Sequence, residues 1–239
     1  MIREIVAAGE CGAYIRFGTV IDPDTSALVQ AFAALLRDLR RAEITDVVPG
    51  YVSLYVEFDV QRMTIADLQR IVEEITPPKV ESAYSGDLID IPVCYGDSCG
   101  PDLTQVAAEC AMSEADVIDI HSSREYLVFF LGFTPGFPFM GTVDERIAVP
   151  RLTAPRTKVP AGSVGIAGYQ TGVYPVDSPG GWRLIGRTTE PLVDLSGSEP
   201  RFLLSPRCRV RFLPTNPGHL QHATSNISRG LGSRAHRTR

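Results

Sequence analysis

Lysine is almost missing from this chain of 239 residues: Lys79 and Lys158 are its only two, within a total of 23 lysines and arginines. Histidine is nearly as scarce, and His121 is the only one of four that lies outside the last 25 residues. Cysteine is present five times, at Cys11, Cys94, Cys99, Cys110 and Cys208. That number is odd and the spacings are scattered, which excludes both a disulfide framework and a CxxC zinc or redox motif, so free and mostly buried thiols are expected. With one histidine and no Cys/His cluster, no metal site is expected. No apolar run reaches the roughly 18 residues needed to span a bilayer. The start, MIREIVAAGECGAYIRFG, lacks the basic region, apolar core and small-residue cleavage site of a secretory signal. The expected compartment is the cytoplasm, with no membrane partner. Also absent are a GxxxxGK[ST] phosphate loop, a glycine-rich turn leading into a helix, and a GxSxG elbow, so nucleotide binding and serine-type catalysis have no local signature.

A content of 44% hydrophobic and 21% charged residues suits a soluble globular protein of one large or two modest domains. The net charge of −5 is unevenly spread. The last 25 residues, TNPGHLQHATSNISRGLGSRAHRTR, hold four arginines and no acid, leaving −9 for the remainder. A disordered basic tail over 215–239 is expected. Four dispersed arginines beside an acidic body do not make a nucleic-acid footprint, and no nucleic-acid partner is expected.

The first eighty residues predict a small α/β unit. REIVAAG and AYIRFG are strand-like runs around Gly9 and Gly12. DPDTSALVQAFAALLRDLRRA opens with capping chemistry and then places Leu28, Phe32, Leu35, Leu36 and Leu39 at helical spacing. TDVVPGYVSLYVEFD reads as a hairpin split at Pro49-Gly50, and TIADLQRIVEEI as a second helix with a Thr64/Asp67 capping box that ends before Pro77-Pro78. The order ββαββα predicts one sheet with both helices on one side. A boundary follows near residues 77 to 87. Beyond it, LIDIPVCYG predicts a strand, and two short helices are expected with Asp102 and Ser113 as caps. From REYLVFFLGF onward the helical period disappears. Short apolar runs, IAVPRL, GSVGIAG, GVYPV, WRLIGRT, RFLLS and RVRFLP, alternate with turns and argue for an all-β barrel or sandwich over about residues 87–214.

Within that half, Gly132–Gly181 holds nine glycines and seven prolines and yet is rich in aromatics. A linker of that content would lack Phe133, Phe137, Phe139, Ile166, Tyr169 and Tyr174, so the segment predicts ordered backbone that turns often, as a binding surface requires. The stretch from Arg151 to Arg187 concentrates positive charge, with Arg151, Arg156, Lys158, Arg183 and Arg187 against a single acid, Asp177, a bias that draws anions or coats a solvated strand. In PAGSVGIAGYQTGVYP, glycines inside strand-like runs mark bulges or close approach of a backbone or ligand, with Gln170, Thr171, Tyr174 and Ser178 as neutral hydrogen-bonding groups around it. His121 closes VIDIHSS in a last helical turn, where a protonated imidazole is favoured. Two readings stand for it, a polar helix end bonded to a loop and a proton-transfer group.

YGDSCGPDL, SEADVIDIHSSREYLVFFLGFTPGFPFMG, VPRLTAPRTKVPAGSVGIAGYQTGVYP and SPGGWRLIGRT together resemble the 5-oxoprolinase B-subunit family, also known as allophanate hydrolase subunit 1 and including the Kip inhibitor of a sporulation sensor kinase. The match runs from Leu88 to Pro214. This resemblance implies an α+β chain with a cyclophilin-like β-barrel carrying a short helical insertion after the ββαββα unit. It implies partnership with a homologue of the 5-oxoprolinase C-subunit (allophanate hydrolase subunit 2) and with the A-subunit, ATP used at the level of the complex, and the opening of 5-oxoproline to L-glutamate. It leaves open a carboxyltransferase-type role on urea or allophanate, inhibition of a histidine kinase, and, from the fold, prolyl-peptide binding. Within the matching motifs, His121 and Lys158 are expected to serve catalysis, and Arg156, Gln170, Thr171, Tyr174 and Ser178 to bind substrate. No biotin site is implied in this chain.

Overall fold

A computed structural model describes residues 4–76, 84 and 86–216. It divides the chain into two compact units, Met1–Asp87 and Leu88–Arg239. Most of the expected boundary segment, 77–87, and the tail from residue 217 lie outside the described residues.

The first unit contains β1 (Glu4–Ala7), β2 (Gly12–Arg16), α1 (Pro23–Asp38), β3 (Ile44–Pro49), β4 (Ser53–Phe58) and α2 (Ile65–Glu74). Its four strands form an antiparallel sheet in the order β1-β2-β4-β3. Alternation decides which face is covered. Ala13 and Ile15 of β2 and Leu54, Val56 and Phe58 of β4 point to one side, where they meet Val29, Phe32 and Leu36 of α1 and Leu68, Ile71 and Val72 of α2. Burying each of these large side chains contributes about 1.5–3 kcal/mol. The helix starts are those the sequence signals. Asp22 accepts the Thr25 N–H at 2.7 Å ahead of α1, and Thr64 and Asp67 form a reciprocal capping box at α2.

The second unit runs through β5 (Leu88–Tyr95), α3 (Leu103–Glu109), α4 (Glu114–Ser122), β6 (Glu125–Leu131), β7 (Pro138–Gly141), a 3-10 turn (Glu145–Ile147), β8 (Arg156–Val159), β9 (Ser163–Ala167), β10 (Gln170–Val173), β11 (Ser178–Gly180), β12 (Arg183–Arg187), β13 (Val193–Asp194), β14 (Arg201–Phe202) and β15 (Arg209–Pro214). Seven strands close a barrel in the order β10-β7-β6-β15-β5-β12-β9. Its neighbours are antiparallel except β15 and β5, which run parallel with Arg209 opposite Leu88 and Pro214 opposite Val93. Closure leaves no open edge in this sheet. Ile91, Val93, Val128, Met140, Val164, Ile166, Val173, Ile185, Val210 and Phe212 form its core together with Leu103, Val106 and Val117 of the two helices.

Two local expectations are corrected. IAVPRL is not a strand: it is the end of the 3-10 turn followed by irregular chain, because its backbone bonds to loops instead of a ladder, with Val149 O accepting from Gly168 N and Leu152 N donating to Gly181 O. Asp102 stands at the N-cap of α3, but its side chain does not cap it. Its carboxylate is used elsewhere, accepting from Leu184 N–H at 2.7 Å and from Arg156 at 2.6 Å, and so ties the helix start to β12 and β8. Ser113 does cap α4, in a box with Asp116. All five cysteines are free, but only Cys94 and Cys208 are buried. The glycine excess is used for close backbone contact. Gly162, at φ +81°, passes within a distance that would bring an added Cβ to 2.1 Å from the Thr188 carbonyl oxygen.

Candidate functional site

The expected site residues separate into two groups. The first lies inside the barrel. α4 delivers His121 into the core with no exposed surface, where its ring stacks on Phe212 at a centroid distance of 4.8 Å. Tyr95 of β5 lies 2.8 Å from Nδ1, and Thr171 of β10 lies 2.9 Å from Nε2. Thr171 donates its one proton to Gly165 O, so it accepts from Nε2–H, and Nδ1 accepts from the Tyr95 hydroxyl. The imidazole is therefore neutral and fully bonded. Burial, assisted by the Arg124 charge, pushes its pKa down to about 3. Contrary to the expectation of a protonated helix-end group, desolvation outweighs the helix dipole here. No face of the ring is open to a ligand, and Thr171 is enclosed with it. Gln170 begins β10, half-buried and opposite Gly141 and Ala167 in the ladder.

The second group surrounds a cleft of about 280 Å3 lined by Phe133, Phe137, Phe139, Arg151, Pro155, Tyr174, Pro179, Gly180, Gly181 and Trp182. Its walls are flat and aromatic. Phe137 meets Phe139, Tyr174 and Trp182 edge to face at 5.0, 5.1 and 5.4 Å between centroids, which fixes the ring planes. Phe133, at φ +67° and 62% exposed, stands at the mouth and meets Phe137 edge to face. Arg151 lies over the Trp182 ring at 5.9 Å, a cation–π contact.

Glycine shapes this cleft. A Cβ on Gly180 would fall 2.4 Å from the Tyr174 hydroxyl oxygen, so only glycine lets β11 pass there. Burial pushes the Tyr174 phenol pKa up, while the Trp182 backbone N–H and the charges of Arg151 and Arg156 pull it the other way. Ser178 and Arg156 belong to the β8–β11 ribbon, where Ser178 faces Val159 and Arg156 faces Gly180. The Ser178 hydroxyl and the Arg156 Nη1 are both buried without a hydrogen-bond partner. Lys158, on the same ribbon, is largely exposed and paired with Asp177 at 2.9 Å.

The structure thus gathers Tyr174, Ser178 and Arg156 near one cleft, leaves Lys158 in solvent beside it, and places His121 and Thr171 inside the barrel. Sequence reasoning undervalued the aromatic walls and Arg151. Their signal was present as phenylalanines embedded among glycine and proline, where no helix or long strand could use them. Among the described residues no three His, Cys, Asp or Glu side chains converge as metal ligands, and no helix is long and apolar enough to cross a membrane.

Residues 3–204 match the family model described as carboxyltransferase domain, subdomain C and D. The chain is 40% identical over 211 residues to the 5-oxoprolinase B-subunit of Bacillus subtilis, covering 84% of this chain and 88% of that protein. It is 52% identical over 154 residues to the 5-oxoprolinase B-subunit of Escherichia coli O157:H7, covering 64% and 68%. Among solved structures, TTHA0988 superposes with a TM-score of 0.73 at 37% identity over 86% of this chain, which spans 40% of that longer protein. A near-complete family match, these identities and the shared fold together place this chain in the 5-oxoprolinase B-subunit family.

Proposed function

We propose that this chain is the B-subunit of an ATP-dependent 5-oxoprolinase, which adds water across the lactam C–N bond of 5-oxoproline to release L-glutamate. It acts with homologues of the C-subunit and the A-subunit. The observation that carries this reading is the aromatic cleft: a space of about 280 Å3 with flat walls and one guanidinium suits a small planar ring bearing a negative charge. Stacking against Phe137, Phe139 and Trp182 holds the ring and excludes water from its faces.

The cleft offers no general base of its own. His121 is enclosed and fully bonded, so it supports the site by anchoring α4 to β5 and β10, and Thr171 shares that role. Tyr174 lines the cleft, Arg156 and Ser178 stand on the β8–β11 ribbon next to it, and Lys158 of that ribbon pairs with Asp177 in solvent. Gln170 holds the start of β10 in the barrel ladder. ATP does not fit the residues present. A triphosphate needs several convergent donors, whereas the walls are apolar with Arg151 as their one charged group, and no phosphate-loop sequence occurs in the chain. The nucleotide is therefore assigned to the partner subunits, which meet the lactam bond at the open mouth.

Co-expression with the A- and C-subunit homologues, followed by assay of glutamate formed from 5-oxoproline, tests this reading. Glutamate should appear only with all three subunits and ATP. A complete complex that leaves 5-oxoproline intact but consumes ATP on a urea-derived amide would refute it.

A further inference from the structure

Two guanidiniums beside the cleft hold binding capacity that the fold does not use. Arg151 has no acidic partner among the described residues and is held over Trp182. Arg156 gives Nη2 to Asp102, while its Nη1 is buried and unpartnered. Arg156 sits opposite Gly180 in the β8–β11 register, and Gly180 lines the cleft. Both charges act on the Tyr174 hydroxyl. Among the described residues no acceptor takes the proton of that hydroxyl, and Tyr174 lines the cleft, which leaves it available to a ligand.

We propose that Arg151 and the Tyr174 hydroxyl, reinforced by the neighbouring Arg156 charge, form a carboxylate-recognition subsite that selects a five-membered lactam bearing a free carboxylate. The same ring without a carboxylate, or with that carboxylate tied up as an amide, is rejected. The proposal rests on the reading of the cleft as the seat of the lactam ring. Charge decides the class of anion. With Asp102 neutralising half of the pair, Arg151, Arg156 and Asp102 together carry one positive charge, which matches a carboxylate and falls short of a phosphate dianion. A carboxylate oxygen accepts from both the Arg151 guanidinium and the Tyr174 hydroxyl, whereas an amide puts its own N–H against a cation. The subsite would therefore separate free 5-oxoproline from the same ring at the blocked N-terminus of a peptide.

Trp182 is the chain's single tryptophan and lies in the cleft wall, so tryptophan fluorescence of the full chain reports this site alone. L-5-Oxoproline, L-5-oxoprolinamide and 2-pyrrolidinone are titrated in turn. The acid should bind about 10-fold or more tightly than either neutral ring, as expected for a hydrogen-bonded charge pair. Arg151→Gln should abolish most of that preference, weakening the acid far more than the amide. Arg156→Gln should act likewise. Because it also releases Asp102, the decision rests on Arg151, which has no ion pair to lose. Equal affinity for acid and amide, an unchanged preference in Arg151→Gln, or no fluorescence response to millimolar acid overturns the proposal. If the acid preference is present but the three-subunit complex forms no glutamate, the subsite stands and the lactamase reading fails. Turnover without an acid preference sinks the subsite alone.

Discussion

Mild acid should destabilise the barrel unit through one side chain, His121. The imidazole is neutral and enclosed in the fold, with a pKa of about 3, but it titrates at about 6.5 once the chain unfolds. Below that value the unfolded state takes up a proton that the folded state refuses. The stabilisation is thus fully present above about pH 6.5 and is lost progressively as pH falls from there towards about 3. At 1.36 kcal/mol per unit, the loss between about pH 8 and pH 5 is about 2 kcal/mol, and most of it develops before the carboxylates begin to protonate. His121→Leu removes this dependence. It also strips the Tyr95 hydroxyl of its acceptor and Thr171 of a donor, which costs about 1–3 kcal/mol at neutral pH. Urea unfolding followed by Trp182 fluorescence from about pH 8 to pH 5 should show the parent chain falling towards a weaker but flat variant. A parent whose stability is level across that window, or a variant with the same slope, would show that the imidazole is not held neutral in the core.

Asp102→Ala should destabilise by about 3 kcal/mol or more, because it orphans the Leu184 N–H and leaves the Arg156 charge without its partner; Asp102→Asn, which keeps an acceptor, should cost clearly less in the same urea titration. Gly180→Ala should force the Tyr174 hydroxyl aside, shifting the Trp182 emission and weakening ring binding at least tenfold, and a normal affinity would mean β11 has room there. Lys158→Ala removes an exposed pair that solvent screens, so melting temperature and turnover of the reconstituted complex should both stay near those of the parent. A tenfold fall in turnover would instead assign that ammonium to an anion on the substrate or on a partner protein.

Local order was readable wherever neighbours in sequence carry the signal. Thr64 with Asp67, and Ser113 as a cap, announced their helices because capping is a contact across three residues. The alternation of Leu54, Val56 and Phe58 announced its strand for the same reason. Asp102 shows where such reasoning stops. It stands where a cap would, but its carboxylate finds Leu184 82 positions away, which no local rule anticipates. The family motifs likewise did not separate the enclosed His121 from the cleft-facing Tyr174, since both lie in equally distinctive stretches.

By itself, then, the sequence determined the helices, most strands, the ββαββα order and the presence of a turned aromatic surface, because periodicity, capping and glycine placement act over a few residues. Only the tertiary structure decided which polar groups are buried partners and which line the cleft. Closing the barrel brings Thr171 onto His121 across 50 positions and leaves Arg151 beside Trp182 at the cleft, and both outcomes depend on desolvation and close packing that exist only when distant strands meet.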